Sequence, residues 1–357
     1  MKTFIRATGN ISPQRTFGKG ALLQDPVIQT GNQLRCTEPD YLKYIDAKFI
    51  RRMSRIIKMG TAAAMECLQE SGTAAGFTNP DAIVMGTAYG CLDDTGIFLK
   101  KMVEQNEEML TPTAFIQSTH NTIAAQIALL LQCHNYNNTF VHRGFSFESA
   151  LLDAIMLLEE NAAKTVLAGA ADEITAYSHA ILSRFGLYKR ETDSNNLALY
   201  QFFSKGTIAG EGAAFFLLSN EHSEQDYATL DALHTFYKPA GIEEAEQQVK
   251  NFLLAQSISV EEIDLIILGN NNIEKEDAVY FALSNSLFKN TTCVNYKFLC
   301  GEYPTSTAFA LWMAINIIKE GSVPAVLGKP TPPKIKRVLI YNHYQNIHHS
   351  LMLVGAC

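Results

Sequence analysis

The sequence has no cysteine between Cys133 and Cys293, although this gap includes the centre of the chain. Its seven cysteines show no paired spacing of the kind that binds zinc. No apolar run reaches the about 20 residues of a membrane-spanning helix, and no low-complexity segment interrupts the 357 residues. We therefore expect a cytoplasmic protein with reduced thiols, no metal site and no membrane span.

The composition excludes two further classes of protein. Hydrophobic residues make up 47% of the chain, which is typical of a globular protein and too high for a disordered one. The net charge of −7 argues against nucleic acid as a partner, because phosphate backbones attract basic surfaces. The length suffices for one large domain or for two halves that share a core.

Segment 138–175 predicts a strand, a tight turn, a helix and a second strand. The first strand covers 139–142 and is broken at Gly144, and the second covers 165–168. Such a turn often carries a nucleophile, since the first amides and the dipole of a helix lower the pKa of a thiol, but no cysteine is present here. The helix is expected to be buried, because apolar residues cover most of its surface: Ala150, Leu151, Ala154, Ile155, Leu157 and Leu158.

The same order of elements recurs later in the chain. A turn, a very apolar helix and flanking strands occur around 139–170 and again around 293–340, where the helix covers 305–321. A further helix is predicted over 47–72, with Phe49 and Ile50 facing inward. Alternating helices and buried strands predict a layered α/β fold, and the repeat predicts two similar halves with two buried helices between sheets.

Several longer segments occur in a fixed order. The chain contains FIRRMSRIIKMGTAAAMECLQESG (49–72), AGAADEIT (168–175) and GEGAA (210–214). It continues with SISVEEIDLIILGNNNIEKEDA (257–278), NYKFLCGEYPTSTAFALW (295–312) and NHYQNIHHSLMLV (342–354). Together they resemble the β-ketoacyl synthases of the thiolase fold. The resemblance implies a thiolase-like layered α-β-α-β-α unit of two similar halves, 1–228 and 229–357.

The family condenses acyl units with one cysteine, which holds the acyl chain as a thioester, and two histidines. Counting back from Gly169 in the segment that resembles AGGAE places the cysteine at Gly144. A longer turn would place it at Phe145 or Ser146. The resemblance therefore implies that the nucleophile is missing.

The two histidines are replaced as well. The first, in the family segment AHGTGTP, falls on Gly269, and the second, in SMTGH, falls on Glu302. The lysine of the latter segment is retained at Lys297. The family loop GFGGTN becomes QNIHHS at 345–350, where glycines that permit close approach to a thioester are lost. We therefore expect no catalytic residues and a remodelled pocket.

The resemblance implies a role as a chain-length factor, a degenerate subunit that pairs with an active β-ketoacyl synthase. Such a pair elongates a polyketide, polyene or fatty acyl chain on acyl-carrier protein, so the chain alone is expected to be inactive. It needs no cofactor of its own, because phosphopantetheine arrives on the carrier. The segments QSTHNTIAAQIAL (117–129) and FESALLDA (147–154) are most similar to partner subunits of aryl polyene and flexirubin-type pigment pathways.

Two surfaces are expected to contact these partners. Thiolase-fold subunits pair through the strand before the turn, here 139–142, which implies a tunnel or interface lined by His142, Phe145, Ser146, Phe147 and Asn346. The alternative is that the two phenylalanines fill the volume of an inactive pocket. Arg51, Arg52 and Arg55 form either a solvated basic face or a docking surface for the acidic carrier.

Two other functions stay open at this point. One is an active acyltransferase or synthase that uses Ser146 with His348 or His349 as its base. The other is a homodimeric scaffold that binds acyl-carrier protein without setting chain length.

Overall fold

A computed structural model describes residues 2–18, 22–72, 79–190, 195–201 and 205–357. Within these ranges ten strands alternate with eleven helices. The first half contains β1 (Thr3–Ile11), α1 (Ala47–Ile50), α2 (Arg55–Glu70), β2 (Ala82–Gly86), α3 (Leu92–Glu104), α4 (Pro112–Gln117), α5 (Thr122–Leu131), β3 (Tyr136–Phe140), α6 (Ser146–Glu159), β4 (Thr165–Asp172), α7 (Ala176–Arg184) and β5 (Gly212–Ser219). The second half contains β6 (Ala228–Tyr237), α8 (Ile242–Ala255), β7 (Leu265–Leu268), α9 (Ala278–Asn285), β8 (Thr292–Asn295), α10 (Lys297–Cys300), α11 (Thr307–Glu320), β9 (Arg337–Tyr344) and β10 (His348–Gly355).

The strands form one hydrogen-bonded sheet in the order β3-β2-β4-β5-β1-β6-β10-β9-β7-β8. Counted from the outer edge, both halves have the same topology: the unit β3–α6–β4 corresponds to β8–α11–β9, with parallel outer strands and antiparallel inner ones. This confirms the predicted fold of two similar halves. Within the sheet, the halves meet where Thr3–Ile5 of β1 pairs with Ala228–Leu230 of β6.

Three hydrophobic clusters divide the fold into five layers. Helices α2 and α5 cover the outer face of the first half-sheet, and α8 and α9 cover the outer face of the second. Helices α6 and α11 lie between the two half-sheets and share one cluster with both. In the described ranges, no helix combines the length and the apolar character needed to cross a bilayer.

Helix α6 is less buried than the sequence predicts. Ala150, Leu151 and Ala154 are buried, but Leu152 is 51% exposed and Met156 is 48% exposed. The reason is that α6 packs beneath β2, β3 and β4, and β3 is the last strand of the sheet, so one face of the helix extends past that edge. Hydrophobic periodicity shows that a face is apolar, but it does not show whether this chain covers it.

The helix predicted over 47–72 is two helices. α1 begins after Asp46, whose side chain accepts a hydrogen bond from the Lys48 backbone, and α2 begins at Arg55. The prediction that Phe49 faces inward is wrong, because its side chain is 40% exposed at the end of the short α1. Met53 and the later apolar residues of α2 do pack into the outer layer.

Candidate functional site

The turn between β3 and α6 leaves no room for a side chain at Gly144. Arg143 there adopts a left-handed backbone conformation (φ 48°), and the next residue, Gly144, is buried. A Cβ at Gly144 would lie 2.6 Å from Cβ of Tyr344 and 3.0 Å from Cβ of His348. The β9–β10 hairpin therefore fills the position assigned to the nucleophilic cysteine.

The hairpin reaches this position through a tight connection. Tyr344 pairs with His348 across the two strands, and the Ile347 amide donates to the Tyr344 carbonyl at 3.1 Å. Gln345 and Asn346 both have left-handed backbones, with φ of 56° and 50°. The loop thus takes conformations that favour glycine without having one, so its path against the turn is fixed by packing.

Ser146 makes its hydrogen bonds inside its own turn. Its Oγ accepts from the His142 amide at 2.8 Å and donates to the Arg143 carbonyl at 2.8 Å, and the residue is fully buried. His349 is buried beside Tyr341, and burial lowers the pKa of the His349 imidazole to about 4. Within the described ranges, neither His348 nor His349 has a hydrogen bond to Ser146. This geometry does not form a serine–histidine pair.

The position of the first family histidine is filled as well. A Cβ at Gly269 would lie 2.1 Å from Oδ1 of Asn342 and 3.1 Å from the hydroxyl of Tyr280. Asn342 has little freedom to move away, because its Oδ1 accepts from the Tyr296 hydroxyl at 2.9 Å and its Nδ2 donates to Thr307 Oγ1 at 3.0 Å. An imidazole at residue 269 would have to displace this bonded side chain.

At the third position, Glu302 forms a buried ion pair with the retained Lys297. The Nζ–Oε2 distance is 2.8 Å and both side chains are essentially inaccessible. Lys297 also donates to Ser306 Oγ at 2.5 Å, and the Asn271 amide donates to Glu302. Burial raises the pKa of Glu302, while the charge of Lys297 opposes this shift. The lysine is therefore used to neutralise a carboxylate that occupies a histidine position.

The predicted tunnel residues separate into two groups. Phe145 lies at the turn, with its ring centroid 5.5 Å from that of His142 and 4.8 Å from that of His348. Asn346 is at the tip of the hairpin, where its amide donates to His343 Nδ1 at 3.1 Å. Phe147 is instead fully buried in the central layer, 5.7 Å from Phe216. Asn346 is exposed, whereas Phe145 is only 8% exposed and Phe147 is fully buried.

The basic residues proposed for carrier docking also differ in environment. Arg51 and Arg52 are exposed. Arg55 instead binds Glu211 through both guanidinium nitrogens, at 2.8 and 2.6 Å, and contacts Glu38. Its charge is neutralised inside the fold, so Arg51 and Arg52 are the members of this set that are available to a partner.

An apolar surface surrounds the free edge of the sheet. In the part of the chain that the structure describes, β3 pairs with β2 and with no other strand, and its Thr139 amide donates to the Asn138 side chain at 2.9 Å. We call this surface the β3 edge; it comprises exposed residues of α5, β3, its following turn and α6: Leu129, Tyr136, Val141, Leu152 and Met156. An unpaired strand within an apolar surface is typical of a protein interface.

Sequence reasoning missed the residues that fill the site. Asn342 and Tyr344 lie in the hairpin segment that was recognised, but nothing in their spacing shows that they enter the space above Gly144 and Gly269. Glu148 of α6 was also missed. It is fully buried, accepts from Ser350 Oγ at 2.9 Å, and burial raises the pKa of its carboxyl to about 7.

The comparisons with known proteins bear on the fold. Residues 29–184 match the family model described as "Beta-ketoacyl synthase, N-terminal domain". The structure titled "The ishigamide ketosynthase/chain length factor" aligns with a TM-score of 0.78 at 16% identity, covering 100% of this chain and 99% of that chain. A ketosynthase in complex with its chain length factor, ApeO and ApeC from Xenorhabdus doucetiae, aligns with a TM-score of 0.75 at 16% identity, covering 100% and 98%.

A third structure contains a type II polyketide synthase acyl-carrier protein in complex with its ketosynthase, AntDE:AntF. It aligns with a TM-score of 0.72 at 16% identity, covering 100% of this chain and 99% of that chain. No curated protein matches the sequence. At these identities the likeness establishes the fold, which is the thiolase-like fold of the ketosynthases.

Proposed function

Since the chain has the fold of the β-ketoacyl synthases, we propose that it is a non-catalytic, chain-length-factor-like subunit of a condensing complex. The observation that carries the proposal is the turn at Gly144, where Tyr344 and His348 occupy the volume that a nucleophilic side chain needs. Gly269 and the Glu302–Lys297 pair support it, because neither position carries an imidazole and residue 269 has no room for one. A chain without nucleophile and base has no route to a thioester intermediate.

Pairing with an active β-ketoacyl synthase is supported by the β3 edge. A partner strand would cover the unpaired side of β3 and the exposed face of α6, which otherwise leave an apolar surface in water. His142 and Phe145 lie at this edge, beside the space that the partner would occupy. The chain would then act by shape, as part of the wall around the growing acyl chain.

The carrier protein is the second proposed partner. Arg51 and Arg52 present positive charge to an acidic acyl-carrier protein, whose phosphopantetheine arm brings the substrate. The chain resembles subunits of aryl polyene and flexirubin-type pathways, so a polyene chain is the proposed product class. All seven cysteines are free, which fits the reducing conditions of the cytoplasm.

Co-expression with the cysteine-bearing ketosynthase of the same organism tests the pairing. We expect a 1:1 complex in size-exclusion chromatography. The double variant Leu152→Glu/Met156→Glu is expected to lose it, because two carboxylates would be buried against the partner. The control Leu254→Glu adds one such carboxylate to α8, where the native side chain is 76% exposed, and is expected to leave the complex intact.

Other outcomes would contradict the proposal. A chain that forms only a homodimer would indicate a scaffold instead of a chain-length factor. If the chain takes up labelled acyl groups without a partner subunit, and the Ser146→Ala variant does not, the chain is an active enzyme.

A further inference from the structure

A cavity of about 650 Å³ lies at the end of α11 that is distant from the candidate site. Thr307, at the start of the helix, contacts Asn342 of that site, whereas Asn316, Lys319 and Glu320 at its end line the cavity. Along the helix axis, Asn316 lies about 14 Å and Glu320 about 20 Å from Thr307, while Trp312, which also lines the cavity, lies closer to it. The cavity volume is in the range of small-molecule binding sites, and none of its lining residues belongs to the site already described.

The cavity exists because the two half-sheets separate after their short join. Among the described residues, no strand pairs with β1 beyond Ile5 on the side where β6 pairs with Thr3–Ile5. Carboxylates of α2 replace the missing strand: Glu70 accepts from the Thr8 amide at 3.4 Å and Glu66 accepts from the Asn10 amide at 3.2 Å. The gap between the halves therefore has two acidic side chains on its wall.

One polar group on this wall lacks a partner. Asn10 is 1% exposed and lines the cavity, and its Nδ2 has no hydrogen-bond partner among the described residues. Buried amide donors are almost always paired, because leaving one unpaired costs free energy. An acceptor atom of a ligand would satisfy this amide.

Among the described residues, the wall carries three carboxylates, Glu66, Glu70 and Glu320, and two cations, Arg15 and Lys319. Lys319 is committed to Glu70, with Nζ 3.6 Å from Oε1, and lies 3.4 Å from the centroid of the Tyr227 ring. Within the described ranges, Glu66 and Glu320 have no ion pair. Burial, together with the charge of Glu70, raises the pKa of the Glu66 carboxyl to about 7. A positively charged ligand would favour its ionised form.

We propose that this cavity binds a small aliphatic amine that also carries an oxygen acceptor, such as an amino alcohol. The ammonium group would lie between Glu66 and Glu320, and the oxygen would accept from Asn10 Nδ2. The rings of Tyr44 and Trp312 on the wall would contact the carbon chain. This inference is independent of the proposed pairing function, because neither the β3 edge nor the Gly144 turn takes part.

The sequence supplies a reporter, because its single tryptophan is Trp312. Titration of the full chain with 3-amino-1-propanol is expected to change Trp312 fluorescence in a saturable way. Propylamine, which lacks the oxygen, should bind more weakly, and 1,3-propanediol, which lacks the charge, should not bind. Glu66→Gln should lower the affinity for the amino alcohol by about tenfold or more, as the loss of a charged hydrogen bond does.

Two further variants separate binding from folding. Glu320 is exposed, so Glu320→Gln should weaken binding without affecting stability. Glu261→Gln removes the same charge from an exposed site outside the cavity and should leave binding unchanged. The inference is overturned if no ligand gives a saturable change, if the diol binds as well as the amino alcohol, if Mg²⁺ alone gives the same change, or if both cavity variants bind normally.

The affinity should also depend on pH. The charged groups that line the cavity with Glu66 are Arg15, Glu70 on the same helix, and Lys319 and Glu320 on α11. Since the ammonium group needs ionised Glu66, binding should weaken as the pH falls through about 7. This dependence should disappear in Glu66→Gln, and its persistence there would exclude Glu66 as the cation-binding group.

Discussion

Replacing Glu211 by alanine is expected to lower the free energy of unfolding by about 3–5 kcal/mol, the usual cost of breaking a buried charged network. Glu211 is fully buried and accepts from the amides of Cys36 at 2.8 Å and Ile174 at 2.9 Å. It also binds Arg55 through both guanidinium nitrogens and lies 3.4 Å from Arg35. Alanine would leave these donors without their acceptor. Urea unfolding followed by circular dichroism measures the loss.

A matched control is available at Glu221, two residues after the end of β5, the strand that Glu211 precedes. Glu221 pairs with Lys164 at 3.0 Å, but both side chains are largely exposed. Glu221→Ala is therefore expected to cost no more than about 1 kcal/mol. If Glu211→Ala were as mild as this control, the network around Arg55 would not stabilise the fold, and Arg55 would return to the set of residues available for carrier docking.

The second large effect is expected at the turn itself. Gly144→Cys restores the family's nucleophile in the sequence, but it should lower the free energy of unfolding by about 1–3 kcal/mol, because its Cβ overlaps Tyr344 and His348. The triple variant Gly144→Cys/Gly269→His/Glu302→His should take up no labelled malonyl or acyl groups. A second triple variant, Arg143→Cys/Gly269→His/Glu302→His, should be equally inactive, since residue 269 still has no room for an imidazole.

Gly241→Cys is the control for this experiment. Gly241 has an extended backbone (φ −176°), and an added Cβ would meet only the flexible Glu243 carboxylate, at 3.2 Å. Its stability should be close to that of the unmodified chain. A stable Gly144→Cys chain, or condensing activity in the triple variant, would mean that the hairpin moves aside readily, and the proposal of a filled, inactive pocket would fail.

The architecture could be predicted from the sequence because its signals are local. In both units, β3–α6–β4 and β8–α11–β9, a very apolar helix is followed by a short apolar strand, so the repetition is visible in one sequence. The first glycine of the GEGAA segment is instead explained by a contact with a distant segment. Gly210 lies so close to the backbone of Cys300 that a Cβ would be 2.0 Å from its carbonyl oxygen.

The interior of the candidate site could not be predicted, because it depends on contacts between distant segments. The side chains that fill the space above Gly144 come from a hairpin 200 residues later in the chain. The charge of Arg55 is paired with Glu211, which is 156 residues away. The exposed face of α6 is a third case. An apolar pattern is the same whether the chain itself or another subunit covers it, so only the position of β3 at the sheet edge separates the two.

The ring contacts at the turn have a mechanical consequence. Many enzyme pockets close around their substrate. Here the His348 ring contacts two other rings, with its centroid 4.8 Å from that of Phe145 and 5.4 Å from that of Tyr237. A packed aromatic cluster resists compression. If such a surface bounds the space where a polymer grows, it serves as a stiff gauge, and the distribution of product lengths would narrow with its rigidity.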